Sequence, residues 1–532
     1  MSPMNVASPS IMSAAESRLI NTLYTTIAGL HTSPPPADVL PSQNLLSEAR
    51  ASLKSELSDD GIGLEHAIRH LADDLAPALN ASSRSANYYG FVTGGCTPAA
   101  SLADNLVTYF DQNVQVHLPN ETIATEIEDS ALVLLCSLLN FSPSQWPHRT
   151  FTTGATASNI LGLACGREYI IAEASAHRTD AEVSVGECGL GEAMRLAGID
   201  KIQILTTVPH SSLSKAASIL GLGRSCVKAI GQPGAPHKFD MDQLQKRLAR
   251  PGVASIVAIS ASEVNTGLFA TSSSKEMQSI RQLCDMYGAW IHVDGAFGIL
   301  ARILPSSPQY QAIKECAAGL ELADSITGDG HKLLNVPYDC GFFLSRHHTL
   351  AERVFKNPNA AYLAAGARDG VLSPLNIGLE NSRRFRALPV YASLIAYGKS
   401  GYREMLERQI ALSRGIAEYI HESEDLELLP RSEGFVKEYL SSIYIIVLFR
   451  AKDGDLNEQL VTKIKESRKV YVSGTSWEGR PACRFAVSNW MVDVERDLPI
   501  IKQILHEAVR VQTTLDPVVE PTSSCSGPVD VV

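Results

Sequence analysis

Four segments carry the residue types that could do chemistry. The first, Gly154-Ala155-Thr156-Ala157-Ser158-Asn159, follows the strand-like run Arg149–Thr153 and leads into a helical pattern. Small residues there let a backbone approach an anion, the first N–H groups of a helix lack partners, and Thr156 adds a hydroxyl; the same residues also make a plain N-cap. The second is Trp290-Ile-His-Val-Asp294-Gly-Ala296-Phe, an apolar strand ending in a carboxylate. A carboxylate at the end of a buried strand needs a partner, either the turn that follows or a cationic heterocycle. The third, Asp324-Ser-Ile-Thr-Gly328-Asp-Gly-His331-Lys332-Leu, sets an amine beside an imidazole after Gly-rich turns. Alone, such a lysine is ordinary solvated surface. The fourth, Pro209-His210-Ser211-Ser212, puts a histidine at the mouth of a helix, as a cap or as a flat ring over a ligand. Together they supply an anion cradle, a carboxylate for a ring nitrogen, a flat aromatic group and an amine. That is the minimum kit for a phosphorylated pyridine aldehyde held as a lysine imine.

Open parallel sheets bind ligands beyond the carboxyl ends of their strands, so these loops need such a sheet beneath them. Apolar runs at Arg149–Thr153, Lys201–Thr207, Val253–Ser260, Trp290–Asp294, Asp324–Thr327 and Gly341–Leu344 alternate with helical patterns at Ser158–Glu173, Ser211–Gly221, Met241–Ala249 and Ser274–Tyr287. This rhythm predicts an α/β fold, a mixed and mostly parallel sheet with helices on both faces. Before it, residues 16–115 read as a helical arm broken by the Pro/Ser-rich stretch Ser33–Pro41. After it come a long helix from about 389, strand-like Ser441–Leu448 and Cys483–Val487, and a final helix from Val494. The expected organisation is a loose tail over 1–15, the arm over 16–115, a large domain over 116–388, a small α+β domain over 389–514 and a second tail over 515–532.

Composition narrows the function classes. With 46 basic and 57 acidic side chains the formal net charge is −11, and no basic run occurs, which argues against nucleic-acid or anionic-membrane partners. The ten cysteines are scattered, the nearest pair being Cys165 and Cys188, so no CxxC pair for zinc or redox work exists and no metal is expected. Reduced thiols, the lack of a basic-then-apolar leader and apolar runs too short for a span predict a cytoplasmic protein.

The four segments, in their order along the chain, closely resemble those of the group II decarboxylases that depend on pyridoxal 5′-phosphate (PLP), of fold type I, the aspartate-aminotransferase-like fold. Thr152-Thr-Gly-Ala-Thr-Ala-Ser-Asn159 looks like the family's T-S-G-G-T-E-A-N loop, His210-Ser-Ser its H-x-S, His292-Val-Asp-Gly-Ala its H-V-D-A-A, and His331-Lys-Leu its H-K-W. Ala157, Gly295 and Leu333 depart from the family's Glu, Ala and Trp. The variants Val116-His-Leu-Pro119 and Gly330-His-Lys-Leu-Leu-Asn-Val-Pro-Tyr338 look most like the fungal branch, where tyrosine-type assignments are common.

The resemblance implies roles. Lys332 would hold the cofactor as an imine, Asp294 would pair with its ring nitrogen, and His210 and Ala296 would flank the ring. Ala155, Thr156 and His331 would hold the phosphate, and Ser260 would lie near the 3′-oxygen. Tyr362, in an Ala/Gly-rich stretch after Asn357, matches the mobile-loop tyrosine that returns a proton to the substrate carbon. Ser382-Arg383-Arg384-Phe-Arg386 matches the family's R-R-F-R stretch, implied to be structural with some steering of the substrate carboxylate. The implied activity is decarboxylation of an L-amino acid, an aromatic one such as tyrosine being favoured, by a homodimer. Alternatives are a decarboxylation-dependent aldehyde synthase and an acidic-amino-acid decarboxylase. A non-catalytic protein of this fold would have no use for the Asp294 and Lys332 pair.

Overall fold

The computed structural model describes residues 37–510 and scattered positions between 17 and 36, apart from 177, 179–181, 358–370 and 432–435. Seven strands build the central sheet: β1 (His148–Thr152), β2 (Lys201–Thr206), β3 (Val227–Ala229), β4 (Val253–Ser260), β5 (Trp290–Asp294), β6 (Ser325–Asp329) and β7 (Gly341–Ser345). Their spatial order is β1-β7-β6-β5-β4-β2-β3. The run from β6 to β3 is parallel, and β7 lies antiparallel to both β1 and β6. The expected mixed, mostly parallel sheet is what forms. Along β4, Ile256 and Ala258 join one apolar cluster while Val257 and Ile259 join another. On β5, Trp290 belongs to the first, and Ile291 and Val293 to the second. A sheet covered on both faces has no polar side to show, which is why these strands read as continuous apolar runs.

Register explains where the loops meet. Gly341, at the start of β7, pairs with Thr152 on one side and Asp329 on the other. Asp294 pairs with both Thr327 and Ser260. The carboxyl ends of β1, β6, β5 and β4 therefore share one edge. Glycine is required at 341, because a Cβ there would lie 2.5 Å from the Gly154 Cα. The short edge strand β3 escaped the sequence pattern, having three residues and no fully buried one.

A second sheet orders Tyr88–Tyr89, Tyr471–Trp477, Arg480–Ala486, Ile446–Ala451 and Leu426–Leu429 side by side. Tyr88 and Tyr89 come from the stretch read as helical arm, yet they pair in parallel with Tyr471 and Val472. Helix Ala387–Glu422, turned at Gly398 (φ 56°, ψ −169°), and helix Val494–Val509 pack beside this sheet. The run expected as a strand over Ser441–Leu448 divides: Val436–Ser442 is a helix and Ile446–Ala451 the strand. Ser441 and Ser442, at the end of that helix, donate their hydroxyls back to the carbonyls of Glu438 and Tyr439, three residues earlier.

Candidate active site

At the shared strand edge lies a cavity of about 360 Å³, and Ala155, Thr156, His210, Ser260, Asp294, Ala296, His331 and Lys332 all line it. The structure thus brings together every predicted site residue except Tyr362, which lies outside the described residues. Ala155 and Thr156 open the helix Ala155–Ala176, so its N-terminus points into the cavity.

Lys332 follows β6 on a single helical turn, Gly330–Leu333, and its Nζ lies 2.8 Å from Asp329 Oδ2 and 5.6 Å from the Phe297 ring. Asp329 Oδ1 accepts the Ala155 N–H at 2.6 Å, which ties the lysine turn to the helix N-terminus. His331 Nδ1 accepts the Cys340 N–H at 3.3 Å and its ring rests 4.4 Å from that of Tyr338. Burial holds the His331 imidazole below its ordinary range, against the pull of Asp329.

Asp294 Oδ1 accepts the Ala296 N–H at 3.2 Å and Oδ2 accepts from the Asn159 amide at 3.1 Å. His210 both caps and lines the cavity: its Nδ1 accepts the Ser212 N–H at 3.2 Å at the start of helix Ser211–Ile219. Burial lowers its proton affinity, with Asp294 opposing. A neutral ring whose Nδ1 accepts carries its proton on Nε2. Ser260 is held by a long contact, 3.5 Å, to the Val208 carbonyl. Arg383, read as structural, is so: it is buried, its Nε donates to the Val114 carbonyl, and its Nη2 donates to Glu128. Arg384 pairs instead with Asp104 at 2.6 Å.

Several residues that sequence reasoning gave no role also shape the site. Asp329 is one, flagged only by its place in Gly328-Asp-Gly-His331. Asn159 and His292 are two more, both within the segments that resemble the family's. Arg484 is a fourth: buried in strand Arg480–Ala486, it donates at 2.6 Å to the carbonyl of Val264, a cavity-lining residue. A lone arginine inside the apolar run Ala482–Val487 was the signal available.

The arrangement sets a carboxylate, an imidazole and an amine around one cavity with a helix N-terminus among them. The pyridoxal-dependent decarboxylase conserved domain matches residues 49–437. L-2,4-diaminobutyrate decarboxylase of Acinetobacter baumannii is 24% identical, covering 88% of this chain and 89% of its own. Phenylacetaldehyde synthase of Petunia hybrida is 23% identical over 81% of this chain and 82% of its own. The crystal structure of Oryza sativa TDC with PLP and tryptamine shares the fold, with a TM-score of 0.74 at 19% identity over 94% of this chain and all of that one. The chain therefore belongs to the pyridoxal-dependent decarboxylase family, carboxy-lyases that act on amino acids with pyridoxal phosphate as cofactor.

Proposed function

We propose that this enzyme decarboxylates an aromatic L-amino acid, tyrosine being the first candidate, to the amine and CO2. The observation that carries the reading is the one cavity shared by Lys332, Asp294 and His210. Its residues fit the cofactor: a carboxylate suits a protonated ring nitrogen, and a helix N-terminus with Thr156 suits a phosphate. Lys332 would hold the aldehyde, Asp294 the ring nitrogen, His210 and Ala296 the two faces, Ala155, Thr156 and His331 the phosphate, and Ser260 the ring oxygen. When bound, pyridoxal phosphate supplies an electron sink for the pair left on the substrate's α-carbon as CO2 departs. Apolar Val208, Val264 and Phe297 on the cavity wall favour an aromatic side chain over an acidic one.

Tyr362 is the proposed proton donor to that carbon, on the resemblance of its segment alone. A phenol returns such a proton as a general acid. Assaying a panel of amino acids for CO2, amine, aldehyde and peroxide together tests both points. Amine and CO2 should appear in equal amounts from aromatic substrates. Tyr362→Phe should lose amine and gain aldehyde, ammonia and peroxide. An unaltered amine rate in that variant removes Tyr362 from its role, and aldehyde as the main wild-type product turns the reading to an aldehyde synthase.

The reading includes a cytoplasmic homodimer. The nine described cysteines are all free, as a reducing compartment keeps them. Among the described residues no helix is long and apolar enough to cross a membrane. Helix Pro98–Phe110 leaves Leu102, Leu106 and Tyr109 exposed on one face, with Phe110 beside them. Such a face, at i, i+4 and i+7, needs a cover, and a second copy supplies it. Sedimentation should find a dimer whose dissociation abolishes activity; a fully active monomer would refute this.

A further inference from the structure

One buried amide stands between the two groups that would hold the cofactor ring. Trp290, His292 and Asp294 alternate along β5 and so point to the same face, toward helix Ala155–Ala176. Asn159, Gly162 and Gly166 of that helix run over them. A Cβ on Gly162 would lie 2.3 Å from the His292 ring, and one on Gly166 would lie 2.8 Å from Trp290. Only bare backbone lets the helix approach this closely.

Hydrogen bonds connect the row. Trp290 Nε1 donates to Ser325 Oγ at 3.0 Å, and Ser325 Oγ lies 2.8 Å from His292 Nδ1. His292 Nε2 lies 2.8 Å from Asn159 Oδ1. The Asn159 Nδ2 then forks, reaching Asp294 Oδ2 at 3.1 Å and Ser212 Oγ at 3.0 Å, and Ser212 Oγ lies 2.7 Å from His210 Nδ1. Trp290, His292, Ser325, Asn159 and Ser212 are all buried.

The direction of this chain is forced at both ends. An indole can only donate, and an ionised carboxylate can only accept. Asn159 must therefore turn its NH2 to Asp294 and its oxygen to His292, so His292 carries its proton on Nε2 and takes the Ser325 hydroxyl on Nδ1. Burial supports a neutral His292 by pushing it down to about 4. On the other branch, the Ser212 hydroxyl accepts from Asn159 and donates a hydrogen bond to His210 Nδ1.

We propose that Asn159 is a positioning residue, its amide locked by His292, which orients the Asp294 carboxylate. This rests on the reading of Asp294 as the partner of the cofactor's ring nitrogen. An analogue of pyridoxal phosphate with C–H in place of that nitrogen separates orientation from mere packing. Wild-type protein should bind the cofactor more tightly than the analogue. Asn159→Leu should weaken cofactor binding at least tenfold and change analogue binding less than twofold. Ser212→Ala, which spares the Asp294 branch, should leave cofactor affinity within twofold. Equal weakening of both ligands in Asn159→Leu would mean a structural role and overturn the proposal, as would a Ser212→Ala loss as large as that of Asn159→Leu. Nitrogen-15 NMR of the cofactor-free protein tests the direction independently: the His292 proton belongs on Nε2, and finding it on Nδ1 overturns the proposal. A wild-type chain that bound neither ligand would sink the reading of the site instead, with the His292 tautomer still deciding the direction of the amide.

Discussion

Asp294→Asn should still bind pyridoxal phosphate but turn over about 10²–10³-fold more slowly. The substitution keeps the size of the side chain and its place at the end of β5, so the cavity keeps its shape. What it removes is a fixed negative charge. The Asn159 amide and the Ala296 N–H already donate to this carboxylate, which aims it. An electron sink works only while its ring nitrogen holds a proton, and a neutral amide cannot hold it there. Steady-state kinetics together with the amount of bound cofactor make the check. A near-wild-type rate with cofactor bound would mean that another group serves the ring nitrogen.

Arg383→Ala should cost about 3–5 kcal/mol of stability, because it leaves the carboxyl of Glu128 buried without its partner. Both side chains are almost fully enclosed, at 2% and 4% exposed. The same guanidinium donates to the carbonyls of Val114 and Phe151, which ties the end of the stretch read as the helical arm to β1. Three acceptors therefore lose their donor at once. The denaturation midpoint should drop sharply, and Arg383→Met combined with Glu128→Leu should recover much of it, since an apolar pair leaves no charge stranded. A single variant that melts with the wild type would show that water reaches the pair.

Most of the central sheet was legible because its strands are buried on both faces and read as apolar runs of the right length. The four loops were legible because each ends such a run with an unusual residue: Asp294 after Val293, Lys332 after two glycines, His210 after Pro209, Thr156 among small side chains. What pattern reading could not reach was set by distance along the chain. Tyr88 and Tyr89 join the second sheet through partners at 471 and 472, and two residues make no period. The run Ser441–Leu448 divides between helix Val436–Ser442 and strand Ile446–Ala451, a boundary that hydrophobicity does not encode. Asn159 and His292 looked like parts of a helix and a strand, and their task appears only when the register sets β5 beneath that helix. Asp329 was read as part of a turn, although it joins Lys332 to the Ala155 N–H.

Whether Lys332 is the residue that holds the cofactor can be read directly. Protein supplied with pyridoxal phosphate should be yellow, and borohydride should bleach it by fixing the cofactor to one lysine. Digestion and mass spectrometry should then find the pyridoxyl group on Lys332, beside His331 and opposite Asp294. A label on any other lysine, or none in cofactor-supplied protein, would contradict the assignment of this cavity as the active site.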